Sequence, residues 1–506
     1  MDKIEINVMT YDLRFKIYEF IKQNWLLIAI LILGAFLRLY KIGEYMTFLG
    51  DEGRDAIVVR RLLVNFDPIL IGPGTSVGGM YLGPLYYYFM APFLLLSNFS
   101  PVGPAVGVAL LGVATIYLVF VVGKDWFSYK AGLIASLLFA ISPTVIIYSR
   151  SSWNPNIMPF FALLTVYSIW KVWKDSKYNW LIICAISFAF VLNSHYLGIL
   201  LAPVIFLFWI LKIRNLKLIG NYLKKSLFAL FIFLGLMSPL LIFDLRHNFM
   251  NYHALSNFLN SGNNNLGFSF REFLTKICTT FVTINTSLLG AKNEFFGKII
   301  SVFITISLFL IFRFKSILHT PLFILLLWLF SGILGFSVYR HPVYDHYFGF
   351  LFSAIIILAG SILSWIYENY SKLFSISLIS VLVFINILNN PLRFNPNNQM
   401  QRSINVANKV LEIAEDKPFN LAVLAERNYE DGYRYFMELK NAQVMHADRW
   451  DQKTIVDNLI VICEKPKEKC DPTHSPKAEV ANFGMSKIDS EFEIDGVTIY
   501  KLIHYK

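Results

Sequence analysis

The stretch "YLGPLYYYFMAPFLLLS", residues 81–97, decides how this 506-residue chain is threaded. It is apolar enough to cross a bilayer, yet it carries two prolines and a run of three tyrosines. If it spans, every later loop changes side. If it lies in the membrane interface as a short helix, where prolines and amphipathic aromatic rings are tolerated, the later loops fall into a consistent charge pattern.

That pattern is the reason to lay it flat. Hydrophobic residues make up 56% of the chain and charged residues 16%, a polytopic membrane composition rather than that of a cytosolic enzyme. The apolar runs predict eleven spans, near residues 25–42, 102–121, 131–147, 156–172, 180–193, 195–211, 226–243, 299–312, 320–338, 348–365 and 373–388. One orientation then places Lys16 and Lys22, Lys124 and Lys130, Lys171, Lys174 and Lys177, Lys212 to Lys225, and Arg313 and Lys315 on the cytoplasmic side, loop after loop. The formal charge of +11 is accounted for by these anchors, so a nucleic-acid partner is not expected. Residues 1–24 hold acids and a tyrosine ahead of the first apolar run, which reads as a cytoplasmic lead-in rather than a cleaved signal peptide.

With this threading, residues 25–388 form the membrane domain, and residues 43–101 form a long outer loop containing the interfacial helix. Beyond residue 388 the apolar runs stop. "FNLAVLAE" and "NLIVICE" read as buried strands and "YEDGYRYFMELK" as a helix, so residues 389–506 are expected to fold as a small α/β domain on the outer side. There Cys463 and Cys470, in "CEKPKEKC", either close a disulfide loop in an oxidising compartment or remain two thiols. Cys184 and Cys278 sit in or near apolar segments and read as packed side chains.

The polar residues that look least like anchors all emerge outside. "FLGDEGRDAIVVRR", residues 48–61, sets Asp51 beside Glu52 at the water boundary. A carboxylate beside a second acid can deprotonate a hydroxyl or amine attacking an activated sugar carbon, its neighbour raising its proton affinity. The plainer alternative is that Asp51 caps a helix and Glu52 is a solvated surface acid. "YSRSSWNPN" contributes Arg150 and Asn154, "NSHY" His195, "FDLRHN" Arg246 and His247, and "YRHPVYDHY" Arg340, His341, Asp345, His346 and Tyr347. Arginine and histidine suit a phosphate or pyrophosphate leaving group. Arg38, at the outer end of the first span, is placed either for a lipid-linked phosphate or to reach the headgroups. His341, Asp345 and His346 fall within six residues but lack the spacing of a zinc motif, so no metal ligand is assigned, and a divalent cation at the phosphate stays open.

In order and topology, "LRLYKIG" followed by "GDEG", the helix "GPLYYYFMAPF", the segment "FSYKAGLIASLLFAISPTVIIYSRSSWNPNIMPFFALL" and the late "YDHYFGFLFSAIIIL" resemble the membrane glycosyltransferases of the protein O-mannosyltransferase and aminoarabinose-transferase type, glycosyltransferase family 39-like. The resemblance covers about residues 20–390. It implies a polytopic α-helical C-type glycosyltransferase fold in the plasma membrane. It also implies transfer of sugar from a polyprenyl-phosphate donor to a protein, lipid or glycan acceptor outside the cytoplasm, in contact with membrane lipid. By the same resemblance Asp51 is the catalytic acidic residue of the first outer loop, acting as general base, Glu52 its partner, and Arg38 with the outer arginines and histidines part of the donor and acceptor cavity. Where many members carry a second-loop acid this chain has "RSSWNPN", and an asparagine can hydrogen-bond a sugar hydroxyl but cannot act as a base. The rival classes are a ligase or polymerase of lipid-linked glycans, a transporter or flippase, and a scaffold; no inverted repeat or midplane charge supports transport.

Overall fold

The computed structural model describes residues 2–214, 219–260, 270–314, 320–339 and 341–505. Its larger part is a helical bundle. Helix α1 (Asp2–Leu39) bends at Asn24, and a turn of helix, α2 (Ile42–Tyr45), leads to α3 (Gly50–Asn65) and α4 (Leu85–Leu96). Then come α5 (Val102–Trp126), α6 (Tyr129–Ile141), α7 (Pro143–Tyr148), α8 (Met158–Asp175), α9 (Trp180–Ser194), α10 (Ala202–Ile213) and α11 (Gly220–Arg246). Helices α12 (Met250–Asn260) and α13 (Phe270–Leu288) precede α14 (Glu294–Phe314), α15 (Pro321–Val338), α16 (Phe352–Asn369) and α17 (Lys372–Leu388).

Among the described residues seven segments are long and apolar enough to cross a membrane, not the eleven expected: Lys22–Leu39, Val102–Trp126, Tyr196–Ile213, Gly220–Arg246, Glu294–Arg313, Pro321–Val338 and Asp345–Asn369. The other four expected spans fall short for visible reasons. The run at 131–147 is broken at Ser142, where Pro143 starts the separate α7. Helix α8 carries Lys171, Lys174 and Asp175 within its 18 residues. Helices α9 and α17 have 15 and 17 residues, and at 1.5 Å per residue each is shorter than a hydrocarbon core of roughly 30 Å.

The decisive stretch is a helix of 12 residues, α4, entered from Pro84 and containing Pro92, too short to span. Its tyrosines, however, are not simply interfacial. Tyr86 and Tyr87 are buried, the first in hydrogen bond with Ser152 at 2.6 Å and the second donating to Asp55 at 3.1 Å. Only Tyr88 turns outward, where its hydroxyl donates to the Ile69 carbonyl.

After α17 the chain folds as an α/β domain. Helix α18 (Gln399–Ala414) is followed by β1 (Phe419–Leu424), α19 (Asp431–Leu439), β2 (Val444–Met445), β3 (Asn458–Cys463), α20 (Ala478–Phe483), β4 (Ser486–Ile494) and β5 (Val497–His504). The sheet order is β2-β1-β3-β5-β4, parallel across β2, β1 and β3 and antiparallel from β3 to β5 and β4. Strands β1 and β3 are the two apolar runs read from the sequence, buried almost throughout as parallel central strands are. The β4–β5 hairpin, missed in that reading, turns on Asp495 and Gly496, both at positive φ, the Asp-Gly signature of a two-residue turn.

This domain shares a core with the first loop. Phe48, Val59, Tyr86 and Val108 pack in one apolar cluster with Val406, Tyr435, Ile460 and Ile499. Helices α3 and α19 approach so closely that a Cβ at Gly53 would lie 2.3 Å from the Asp431 carbonyl oxygen. Gly53→Ala is therefore expected to force the two helices apart and destabilise the protein by about 1–3 kcal/mol, in the range of other overpacked contacts. Gly78→Ala, with open space around its Cβ, should leave the thermal midpoint of the detergent-solubilised chain unchanged.

Candidate active site

Helix α3 begins at Gly50, and its first turn is fastened on two sides. The Glu52 carboxylate accepts the Leu49 N–H at 3.0 Å, and the Gly50 N–H donates to the Asn428 side chain at 2.8 Å. The two neighbouring acids therefore part company. Glu52 is buried as the helix cap, whereas the Asp51 side chain keeps 41% of its surface and faces a cavity. The plainer sequence reading had these two roles reversed.

Helical spacing puts Asp51, Arg54 and Asp55 on one face. The Arg54 guanidinium donates to Asp51 at 2.9 Å and, through two N–H groups, to Asp55 at 2.8 and 3.0 Å. Tyr429, from the connection between β1 and α19, donates its hydroxyl to Asp51 and accepts from Arg54 at 3.3 Å. Burial pushes the fully enclosed Asp55 carboxyl up to about 6 against the pull of Arg54. Burial also raises the Tyr429 phenol, with Arg54 opposing and Asp51 adding to the rise, so Tyr429 stays a proton donor at neutral pH.

The cavity encloses about 530 Å³. Asp51, Arg54 and Tyr429 form one wall; Ser76, Trp153, Asn154, His195, Tyr196, Tyr344, His346 and Tyr347 line the remainder. The His346 ring sits 4.5 Å from Trp153 and 4.6 Å from Tyr347, centroid to centroid. His195 accepts the Leu197 N–H on Nδ1, which fixes a neutral ring with its proton on Nε2. A smaller chamber of about 170 Å³, lined by Thr47, Glu52, Tyr148, Ser151 and Arg427, shares Asp51, Trp153 and Tyr429 with the first.

Of the expected site residues, Asp51, Asn154, His195, His346 and Tyr347 meet in this cavity. Arg38 does not: it is fully buried and donates to the carbonyls of Gly34, Phe139 and Ala140. Arg150 is likewise engaged, donating to Leu37 and Tyr40 carbonyls and lying over the Tyr45 ring. Asp345 pairs with Lys292 at 3.1 Å and accepts from Ser287. Exposed Arg246 and His247 end α11, the His247 ring stacked on Phe243, while His341 stacks on Phe258. Arg340 lies outside the described residues. Asn154 and Asn156 donate to the carbonyls of Ser194 and Ser151, so the asparagines of the second loop hold backbone in place. Among the described residues no group of three or more His, Cys, Asp or Glu is placed to hold a metal. Cys463 and Cys470 are joined as a disulfide, beside Glu464, which accepts from Asn428, Tyr433 and Arg402.

Sequence reasoning passed over Arg54, Asp55 and Tyr429. The first two stood in the quoted stretch at helical spacing from Asp51; nothing in the sequence linked Tyr429 to them.

A family model described as dolichyl-phosphate-mannose-protein mannosyltransferase matches residues 82–243. No curated protein sequence matches the chain at a significant level. Among solved structures, ArnT from Cupriavidus metallidurans bound to undecaprenyl phosphate is similar at a TM-score of 0.63 and 12% identity, over 94% of this chain and 98% of that one. The Archaeoglobus fulgidus oligosaccharyltransferase in complex with zinc and sulfate is similar at 0.54 and 12% identity, over 86% and 67%. The same organism's AglB with an inhibitory peptide and a dolichol-phosphate gives 0.53 and 12%, over 87% and 70%. These likenesses show a polytopic C-type glycosyltransferase fold with a small α/β domain.

Burial drives the Glu52 carboxyl up to about 7 from an ordinary 4.5, with Asp51 adding to the rise and the Leu49 N–H opposing it. An acid that holds its proton more tightly when folded contributes most stability below about pH 4.5 and loses it as pH rises through about 7. Glu52→Gln keeps an oxygen for the Leu49 N–H but cannot ionise. Thermal midpoints measured from pH 4.5 to 8 should fall less steeply for this variant than for the parent; an identical slope would remove Glu52 from the titration.

Proposed function

We propose, starting from that fold and the mannosyltransferase family match, that this chain transfers a sugar from a polyprenyl-phosphate donor to a protein, lipid or glycan acceptor outside the cytoplasm, with Asp51 as the base. The observation that carries the reading is a half-exposed first-loop carboxylate on the wall of an aromatic-lined cavity, at one end of the bundle. The acceptor hydroxyl loses its proton to Asp51 as its oxygen attacks the anomeric carbon. The bond from that carbon to phosphate breaks, and the electron pair leaves with polyprenyl phosphate. Attack opposite the phosphate inverts the anomeric centre. Trp153, Tyr344 and Tyr347 offer flat faces to a sugar ring, and His195 and His346 offer ring nitrogens for hydrogen bonds, His195 as a neutral donor through Nε2.

Sidedness follows from charge. Lys124, Lys130, Lys171 and Lys174 gather at the opposite end of the bundle, where Lys130 pairs with Glu368 and Lys171 with Asp125. We take the four remaining expected spans as additional membrane segments within the bundle; the count rises from seven to eleven and stays odd, which puts the α/β domain and the Cys463–Cys470 disulfide outside. Trp450 is 84% exposed on that domain. Trp450→Cys in intact cells should react with a membrane-impermeant maleimide above the parent background; reaction only after permeabilisation would turn the chain over.

The test of chemistry uses purified protein in lipid, radiolabelled polyprenyl-phosphate sugars and a membrane extract as acceptor source. Asp51→Asn preserves size and hydrogen bonding but not proton acceptance, and transfer should fall on the order of 10²- to 10⁴-fold while the protein still folds and binds donor. Undiminished transfer would strip Asp51 of the role of base.

A further inference from the structure

The soluble domain reaches the first-loop carboxylate through one phenol. Tyr429 lies against Gly50 so closely that a Cβ there would sit 2.5 Å from the ring. Its backbone is anchored next door: Asn428 accepts the Gly50 and Tyr429 N–H groups and donates to Glu464. The hydroxyl is thus delivered to Asp51 by an anchored backbone and a ring packed on Gly50.

Its location within the cavities gives that contact a meaning. Asp51, Trp153 and Tyr429 belong to both chambers and form the partition between them. An acceptor hydroxyl that gives its proton to Asp51 must reach the carboxylate that the Tyr429 hydroxyl now contacts. Tyr429 cannot replace the acceptor, because its phenol keeps its proton.

We propose that Tyr429 decides between acceptor and water: its hydroxyl occupies the acceptor's place on Asp51 until a true acceptor displaces it, and so denies that place to water while donor is bound. This rests on Asp51 being the base. The reaction it suppresses is donor hydrolysis, in which a water oxygen bonds to the anomeric carbon, its proton passes to Asp51, and polyprenyl phosphate leaves with the electron pair.

The experiment measures release of free radiolabelled sugar without acceptor, and transfer with increasing membrane extract, for the full chain in lipid. The donor is polyprenyl-phosphate mannose, or the polyprenyl-phosphate sugar on which the parent protein is most active. Tyr429→Phe keeps the ring on Gly50 and removes only the hydroxyl. Acceptor-free hydrolysis should rise about tenfold, the scale of one charge-assisted hydrogen bond, and the apparent KM for extract should fall. Tyr429→Ala should raise hydrolysis further; if it does not fold, the phenylalanine variant alone decides. A general loss of rate in Tyr429→Phe, without more hydrolysis or a lower KM, would make Tyr429 a support for Asp51 and overturn the proposal. Parental kinetics in both variants would also overturn it, with the functional reading intact if Asp51→Asn is inactive. A parent protein that neither transfers nor hydrolyses any donor would remove the functional reading and this proposal together.

Discussion

Everything in the site depends on the approach of two helices that lie far apart in sequence. Helix α3 begins the first loop and α19 belongs to the soluble domain, yet their backbones touch at Gly53 and Asp431 and their side chains share one apolar core. An α/β domain hung on a linker would leave the Gly50 N–H to water and Asp51 on a loose loop. Here the linker is itself tied down. Tyr45 donates to the Phe394 carbonyl at 2.8 Å, Gln399 accepts the Phe48 N–H, and the Asn398 N–H reaches the Glu44 carbonyl. Bundle, loop and domain form one packed unit, and the cavity is the space they leave.

The charges inside that unit are arranged to keep one carboxylate usable. Arg54 is shared between Asp51 and enclosed Asp55, and Tyr87 gives Asp55 a further donor. A buried acid without such partners would be neutral and inert; one fully enclosed by them would be unable to accept another proton donor. Asp51 stands between these limits, with part of its surface open to the cavity, whereas Asp55 and Glu52 carry the cost of burial.

Legibility in the sequence followed the range of the interactions. The strands β1 and β3 and the short helix α4 were readable because apolar runs and prolines act locally. Asp51 was readable because an acid at the end of a hydrophobic run needs a reason. Of the eleven expected spans, four fall short of the length or apolarity of the other seven among the described residues: Pro143 ends α6, α8 carries three charges, and α9 and α17 are short. Arg38 and Arg150 were read as candidates for the donor and acceptor cavity because an arginine near a membrane surface looks the same whether it meets a ligand or carbonyl oxygen. Only the structure shows their guanidinium groups spent on the ends of α1 and α6. Tyr429 was unreadable for the opposite reason: its partner lies 378 residues away.

That separation also orders events during synthesis. Ribosomes add about 5–20 residues per second, so roughly 20–75 s pass between the emergence of Asp51 and that of Tyr429. Throughout that interval the first loop lacks its phenol, the Asn428 cap on Gly50, and the part of its apolar core that the α/β domain supplies. The Asp51 face of α3 is therefore finished late, by the domain made last. A nascent chain held in the translocation machinery carries every membrane helix before it carries a completed centre.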